Sequence, residues 1–453
     1  MQAVSPAEPE QLRRCLSAFD LTLLGIGAII GAGIFVMTGI AASTQAGPGV
    51  IFSYVLAGLV CAFCAFSYAE LASSVGGCGG AYGYAYISIG KFIAWVIGWD
   101  LLLEYGMDAA TISIGWSGYV THTLEAFGIP LPKTLTTDPF NGGIVNLPAM
   151  IVILLLASLL SIGTKQGSIF NNFIVYIKLL VIALFIGISF FHFNPDNWHP
   201  FLPFGYQGIV NGAGLIFFAY IGFDAVSTAG EEAKNPKRDL PIGIMVSLVF
   251  CTLVYIAVAG LLTGIMYYPN LNTSSPVSLA LLQYGHHYAA QIVAIGAIAG
   301  LTTAIMAMYY GFTRVFLAMA RDGFLPNATA KICKKSGTPK RLIWSVGFIM
   351  AIAAGFFPIA GIASLVNIGA LAAFIAVCAS AMMLRYTQPN LPRPFKTPFG
   401  PLFPLLGILL CGYLMSTFSA VTWLSFSAWT LAGLVIYFIY SKQSNLKRTA
   451  KSA

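Results

Sequence analysis

Long apolar blocks, separated by short polar breaks, fill most of this 453-residue chain. A transmembrane helix needs about 20 consecutive apolar residues. Membrane β-strands alternate polar and apolar positions instead, and segments such as IVILLLASLLSIG (151–163) do not. The pattern therefore predicts an all-α integral membrane protein. Its twelve predicted spans are 20–44, 49–73, 87–118, 147–163, 169–192, 209–231, 240–266, 287–319, 342–360, 362–384, 402–420 and 422–440.

The composition agrees with a membrane setting. Hydrophobic residues make up 58% of the chain and charged residues only 8%, whereas about a quarter of an average soluble domain is charged. The polar N-terminus, with Arg13 and Arg14, leads into an apolar segment that is longer than that of a signal peptide. We therefore expect the first span to remain as an anchor.

The distribution of basic residues predicts the orientation. If the N-terminus is cytoplasmic, Lys133 is the only basic residue in the loops that are then outside. This asymmetry is what the positive-inside rule requires. It predicts a multi-pass protein of the cell membrane, inner or plasma, with both termini cytoplasmic. The net charge of +8 is then a topogenic signal, and we expect no nucleic-acid partner.

Two spans carry interruptions at corresponding positions. Span 1 reads DLTLLGIGAIIGAGIFVMTGI, and span 6 reads GLIFFAYIGFDAVSTAGEE, with Gly222 and the acidic Asp224 near its middle. Taken alone, the glycines of span 1 fit close helix packing equally well. If spans 1–5 and 6–10 are two repeats, however, the interruptions match. Matched interruptions are the best sequence indication of the binding site of a transporter near the middle of the membrane.

A broken helix offers both signs of partial charge to a ligand. Free N–H groups begin its second half, and free carbonyls end its first half. An α-amino acid is complementary to both, because its carboxylate accepts from N–H groups and its ammonium donates to carbonyls. The predicted substrate-binding backbone consists of Ile29, Ile30, Gly31, Ala32 and Gly33 in span 1, and Phe218, Ala219 and Ile221 in span 6.

Several long motifs occur together in one order along the chain. They are GIGAIIGAGIF, GWDLLLEYGMDAATISIGWSGY, FFAYIGFDAVSTAGEEAKNPKRDLP, GLTTAIMAMYYGFTRVFLAMARDGFLP and RPFKTPFGPLFPLLGILL. With these motifs the chain resembles the amino acid, polyamine and organocation (APC) transporter superfamily, and within it the bacterial twelve-span members of the cationic amino acid transporter family. The resemblance implies amino acid substrates and, in bacterial relatives, coupling to protons.

The resemblance also implies a leucine-transporter-like five-plus-five inverted repeat with discontinuous spans 1 and 6. The predicted organisation is a cytoplasmic N-terminal segment (1–19), repeat 1 (20–192), repeat 2 (209–384), spans 11 and 12 (402–440) and a cytoplasmic tail (441–453).

Lys178 lies midway along the apolar span 5. An intramembrane lysine is costly without a partner, so it is a functional candidate, although a lysine can also extend to the membrane interface. The resemblance implies that its ammonium replaces a sodium ion, facing Gly27 of span 1 and Thr302 and Thr303 of span 8. We therefore predict a role for these residues in proton coupling.

Span 3 carries Asp100, Glu104 and Asp108 on one side of a helix. For Asp100 and Asp108 we favour a structural network with neighbouring helices. Glu104 matches the acidic residue beside the substrate cavity of cationic transporters, where it would attract a cationic side chain. The thioether of Met308 corresponds to a cavity-lining position and suits varied side chains, although packing alone explains it nearly as well.

Three acidic residues near span 6 are predicted to act in structure or gating. Asp224 follows the break and is expected to brace the unwound segment rather than to touch the substrate. Glu231 and Glu232 precede a basic loop, with which they would form an inner gate or simply a solvated helix end.

The sequence shows no catalytic or metal-binding set. Cys61 and Cys64 form a CxxC inside an apolar helix, where packing is the simplest explanation. The histidines map mostly to outside loops without an acidic cluster, so we interpret them as solvated loop residues rather than metal ligands: His122, His192, His199, His286 and His287. No nucleophile, base and orienting carboxylate stand together. We expect no enzyme activity, no metal and no cofactor.

The leading hypothesis is a secondary active transporter whose partners are an amino acid, H⁺ and the lipid bilayer. Cationic substrates such as arginine or lysine suit Glu104, and neutral ones such as alanine stay open. An amino acid exchanger and a sensor that binds without transport are the alternatives. A small regulatory membrane subunit is also left open by the sequence.

Overall fold

The computed structural model describes residues 16–75, 80–162, 167–231, 233–325, 333 and 338–452. Apart from isolated β-bridges, these residues form helices, turns and loops. The α-helices are α1 (Ala18–Ile29), α2 (Thr38–Ala41), α3 (Val50–Ser74), α4 (Gly80–Ser88), α5 (Lys91–Ala126), α6 (Lys133–Thr136), α7 (Leu147–Ile162), α8 (Gly167–Phe191), α9 (Gly205–Ile216), α10 (Ala225–Thr228), α11 (Pro236–Ile265), α12 (Pro276–Gln283), α13 (His287–Arg321), α14 (Lys340–Phe356), α15 (Ile359–Thr387), α16 (Leu402–Met415) and α17 (Ala420–Ser452).

Many of these helices suit a lipid environment. Within the described residues, seven segments are long and apolar enough to cross a membrane: Ala18–Ser74, Asn172–Phe191, Gly205–Thr228, Pro236–Ile265, His287–Arg321, Ile359–Thr387 and Ala420–Ile439. The apolar helices α7 and α16 are shorter. The prediction of an all-α, multi-pass membrane protein is confirmed at this level, and every predicted block contains helical structure.

The third predicted span is divided in the structure. The third block was placed at 87–118, but α4 ends at Ser88 and a separate helix, α5, runs from Lys91 to Ala126. Gly90 causes this break, because its φ of 118° lies in a region that favours glycine and is incompatible with a continuous helix.

Spans 1 and 6 are both interrupted, as their sequences indicate. Helix α1 ends at Ile29, and Ile30 adopts an extended ψ of 92°. The chain resumes as a π-helical turn at Gly33–Met37 and continues into α2. In span 6, α9 gives way to a 3₁₀ turn at Phe217–Tyr220, after which the chain turns at Gly222 and resumes as α10.

The last helix is held against α5 by tryptophans. The rings of Trp99 and Trp429 stack with centroids 4.6 Å apart. Each indole N–H donates to the other residue's carbonyl oxygen, at 2.9 and 3.2 Å. Trp95 adds a bond of 3.0 Å from its indole N–H to the Gly433 carbonyl oxygen. Most of the described surface of α17 is exposed. These polar contacts therefore hold it on an otherwise apolar bundle.

Candidate functional site

The two interrupted segments pack directly against each other. A Cβ on Gly33 would overlap the Ala219 side chain, and a Cβ on Gly222 would lie 2.9 Å from the carbonyl carbon of Ala28. Gly222 also has a φ of 118°. Glycine is therefore required at both positions, because it allows close backbone approach and, at Gly222, the turn itself.

Tyr255 of α11 joins the two breaks. Its hydroxyl lies 2.7 Å from the Ile29 carbonyl oxygen and 2.8 Å from the Ala219 carbonyl oxygen. A hydroxyl has one hydrogen to donate, so it cannot fully satisfy both carbonyls. One of these two acceptors at the broken ends therefore stays available to a second donor, such as the ammonium of an amino acid.

The residues predicted to bind substrate are closed off from solvent. Phe218 has a relative exposure of 4%, and Glu104 is fully buried. All ten predicted residues are buried: Ile29, Ile30, Gly31, Ala32, Gly33, Glu104, Phe218, Ala219, Ile221 and Met308. A soluble ligand reaches them only if the helices move.

Lys178 of α8 binds the end of α1 directly. Its ammonium donates to the carbonyl oxygens of Gly27 at 2.9 Å and Ile30 at 2.6 Å, and the residue is fully buried. Gly300 of α13 makes room for it, since a Cβ there would lie 2.9 Å from the lysine Cε. A cationic group thus satisfies carbonyls that the broken helix leaves without N–H partners.

Lys178 was predicted to face Thr302 and Thr303 of span 8, and no hydrogen bond joins it to either among the described residues. Thr303 donates to the Gly300 carbonyl oxygen at 2.8 Å, and Thr302 donates to that of Ile298 at 2.7 Å and accepts from the Trp116 indole at 2.9 Å. Their hydroxyls bond their own helix, as threonine hydroxyls in helices commonly do. Their predicted part in proton coupling therefore stays a prediction.

Asp224 braces the turn in span 6. Its carboxylate accepts from the Gly222 N–H at 3.0 Å and from the Tyr105 hydroxyl at 2.6 Å. The first bond closes the unwound segment, and the second ties it to α5. These are the contacts that bracing requires, and the role of Asp224 in gating stays a prediction.

The other acidic groups of α5 are poorly satisfied. Both carboxylate oxygens of Glu104 are buried and have no hydrogen-bond partner among the described residues, and the same is true of the nearby Tyr68 hydroxyl. One oxygen each of Asp100 and Asp108 is also unpaired there, and the network expected around these two residues stays a prediction. Buried polar groups without partners are uncommon and need an explanation.

Two gating candidates lie beyond what the structure describes. Glu232 is outside the described residues, and the Glu231 side chain is outside them as well. The inner gate therefore stays a prediction.

Sequence reasoning missed the tyrosines that hold the break. Besides Tyr255, Tyr119 donates to the Phe35 carbonyl oxygen at 2.8 Å, and Tyr220 donates to that of Tyr54 at 2.8 Å. Tyr119 and Tyr255 lie in apolar helices and Tyr220 lies in the 3₁₀ turn of span 6, and a buried tyrosine needs a partner for its hydroxyl. That need was the available signal, but it does not identify the partner.

Comparison with known proteins identifies the class. Residues 16–449 match the family described as amino acid permease. The chain is 45% identical over 442 residues to the methylthioribose transporter of Bacillus subtilis (strain 168), covering 97% of this chain and 96% of that protein. It is 46% identical over 439 residues to the branched-chain amino acid permease BcaP of the same organism, covering 96% and 94%.

A plant relative is more distant. The vacuolar cationic amino acid transporter 4 of Arabidopsis thaliana is 34% identical over 393 residues, covering 84% of this chain and 65% of that protein. These relatives are transporters and permeases rather than enzymes, which agrees with the APC resemblance of the motifs. The chain therefore belongs to the amino acid permease family.

Proposed function

We propose that this chain carries L-amino acids by proton-coupled symport through alternating access. Its twelve spans would form two inverted repeats, 20–192 and 209–384, with 402–440 added. They would cross the cell membrane, inner or plasma, and both termini would be cytoplasmic. The observation that carries the proposal is the Lys178 ammonium on the Gly27 and Ile30 carbonyls. Its charge occupies the place that a cotransported cation would otherwise need to fill.

The amino acid backbone would bind at the junction of the breaks. The N–H groups that open the second half of span 1, at Ala32 and Gly33, suit a carboxylate. The carbonyls of Ile29 and Ala219, which share the single hydroxyl hydrogen of Tyr255, suit an ammonium. The glycines leave this backbone accessible at close range.

Lys178 would couple this site to the proton. Burial disfavours the charged form of an amine, and the two carbonyl bonds favour it. Any movement of α1 that breaks these bonds would therefore release a proton, and any movement that restores them would take one up. Thr302 and Thr303 would contribute only in a conformation in which their hydroxyls leave their own helix.

Glu104 supports cationic substrates. Its unpaired, buried carboxylate lies near Asp224, and an unsatisfied buried polar group costs about 1–3 kcal/mol, or more if it is charged. The guanidinium of arginine or the ammonium of lysine would remove that cost through charge-assisted hydrogen bonds. Met308 is buried, with a relative exposure of 1%. Its flexible thioether side chain would pack against the aliphatic part of such a substrate side chain.

A second candidate is a neutral substrate, either alanine or a branched-chain amino acid. The observation that favours it is the 46% identity to a branched-chain amino acid permease over nearly the whole chain. A neutral side chain offers Glu104 no charge. The two candidates therefore differ in what they require of this one residue.

Uptake into proteoliposomes tests the function. Radiolabelled arginine, alanine and leucine would be compared with and without an inward proton gradient, and with and without sodium. Sodium-independent accumulation driven by the gradient is expected. Uptake only with substrate inside would instead indicate an exchanger, and binding without uptake a sensor.

Glu104→Gln separates the substrate classes. If the carboxylate binds a cationic side chain, the variant should lose about tenfold to hundredfold in arginine uptake, which corresponds to a charged hydrogen bond of about 1.5–3 kcal/mol. Leucine or alanine uptake should change little. Glu125→Gln, on the same helix but exposed, is the matched control. Equal loss for all substrates would contradict a side-chain role for Glu104.

A further inference from the structure

Two histidines from distant parts of the chain meet at one end of the bundle. His192 directly follows α8, and His286 directly precedes α13. Their Nε2 atoms lie 3.2 Å apart, and both side chains are partly exposed. The residues are 94 positions apart, so their spacing in the sequence does not reveal the pair.

The proton positions of His192 follow from its second contact. Its Nδ1 lies 3.0 Å from the Ile188 carbonyl oxygen, which can only accept, so Nδ1 carries the hydrogen. In the neutral ring, Nε2 then presents a lone pair. A backbone carbonyl that fixes the far N–H is the arrangement that orients metal-binding histidines.

The distance between the two nitrogens suits a shared metal ion. With Zn–N bonds of about 2.0–2.1 Å, two nitrogens at this separation subtend about 100° at a zinc ion, close to the tetrahedral angle. The ring planes meet at 81° with centroids 4.7 Å apart. This is closer than an end-to-end arrangement of two imidazoles would be, so the nitrogens approach at an angle rather than along one line.

We propose that His192 and His286 form a binding site for Zn²⁺ or a similar first-row transition metal. His192 would bind through its free Nε2, and His286 would bind through Nε2 after its proton moves to Nδ1. No group of three or more His, Cys, Asp or Glu side chains suited to a metal occurs in the part of the chain described. Water would therefore complete the coordination, and affinity would be lower than in a site with four side-chain ligands.

The metal would link two helices that carry the proposed coupling site. Helix α8 bears Lys178, and α13 bears Gly300, against which the lysine stem packs. A metal at their joined ends would restrain one helix against the other. This consequence for transport rests on the proposed function, whereas the binding site itself does not.

Metal titration of the purified full-length protein tests the site. Binding of ZnCl₂ would be measured by calorimetry, and binding of Co²⁺ by its visible absorption, for wild type, His192→Gln, His286→Gln and the exposed neighbour His287→Gln. We expect one site in wild type and His287→Gln, and binding at least about tenfold weaker in the other two variants. Equal thermal unfolding would show that all the variants are folded.

Several results would overturn the site. Zinc binding by wild type in the millimolar range only would leave the pair as a hydrogen bond between neutral imidazoles. Binding that survives both His192→Gln and His286→Gln would place the metal elsewhere. In proteoliposomes, EDTA-reversible inhibition by external Zn²⁺ that His286→Gln abolishes would support the restraint of α8 and α13. Binding without inhibition would support the site and overturn the restraint.

Discussion

The contact between the two helix breaks can be tested with one pair of glycine substitutions. Gly222 and Gly90 share the same φ of 118°. A Cβ on Gly222 would lie 2.9 Å from the Ala28 carbonyl carbon and 3.0 Å from its oxygen, whereas a Cβ on Gly90 would have nothing within 4 Å. Gly222→Ala therefore adds a steric conflict to backbone strain, and Gly90→Ala adds the strain alone.

The expected magnitudes follow from these two effects. A non-glycine residue held in such a conformation costs about 1–3 kcal/mol, and overpacking a well-packed site adds about 1–3 kcal/mol. Gly222→Ala should thus destabilise the closed conformation by about 1–3 kcal/mol more than Gly90→Ala does. That excess free energy lowers the equilibrium constant for the closed conformation by a further factor of about 5 to 150.

Thermal unfolding in detergent and initial rates of amino acid uptake measure this difference. Gly90→Ala should unfold at a somewhat lower temperature and should transport at close to the wild-type rate. Gly222→Ala should unfold at a lower temperature still and lose most of its transport. If the two variants behave alike in both assays, spans 1 and 6 do not pack as described.

Three further predictions concern polar contacts that hold the helices. Tyr255→Phe should lower the unfolding temperature, because two buried carbonyls lose their shared donor at a cost of about 1–3 kcal/mol. Amino acid binding should raise the unfolding temperature of this variant more than that of wild type. An unchanged unfolding temperature would refute the bridge. Glu70 forms an ion pair with Arg385, whose side chain is 20% exposed. Glu70→Gln should therefore destabilise the protein by about 3 kcal/mol, the low end for a broken buried ion pair. In thermal unfolding, Arg385→Gln should recover part of this loss in the double variant, and additive losses would refute the pairing. Trp429→Ala should release α17 from Trp99. Limited proteolysis should then cleave the variant faster than wild type. An unchanged digestion pattern would refute the contact.

Apolar length and glycine position were enough to predict much of the fold. Each apolar block became helical because a chain without polar side chains must satisfy its own backbone. The interruptions at Gly31 and Gly222 were predictable because glycine weakens a helix and permits close approach. The exception is Gly90, which the apolar pattern places inside a longer span.

Contacts between helices were harder to predict from the sequence. Lys178 lies against Gly27 as the family resemblance implied, because a buried cation has few acceptors other than the carbonyls of a broken helix. Tyr255 and the pair of His192 and His286 gave no comparable signal. Their partners are set by how the helices pack, which neither residue type nor spacing reveals.

The central claim is that Lys178 couples amino acid movement to a proton, and the proton flux itself tests it most directly. Proteoliposomes containing a trapped pH-sensitive dye would receive external amino acid without any imposed gradient, for wild type, Lys178→Met and the exposed-lysine control Lys91→Met. We predict that the lumen acidifies with wild type and Lys91→Met. With Lys178→Met it should not, although the protein remains folded by thermal unfolding. Substrate-dependent acidification that persists in Lys178→Met would contradict the account.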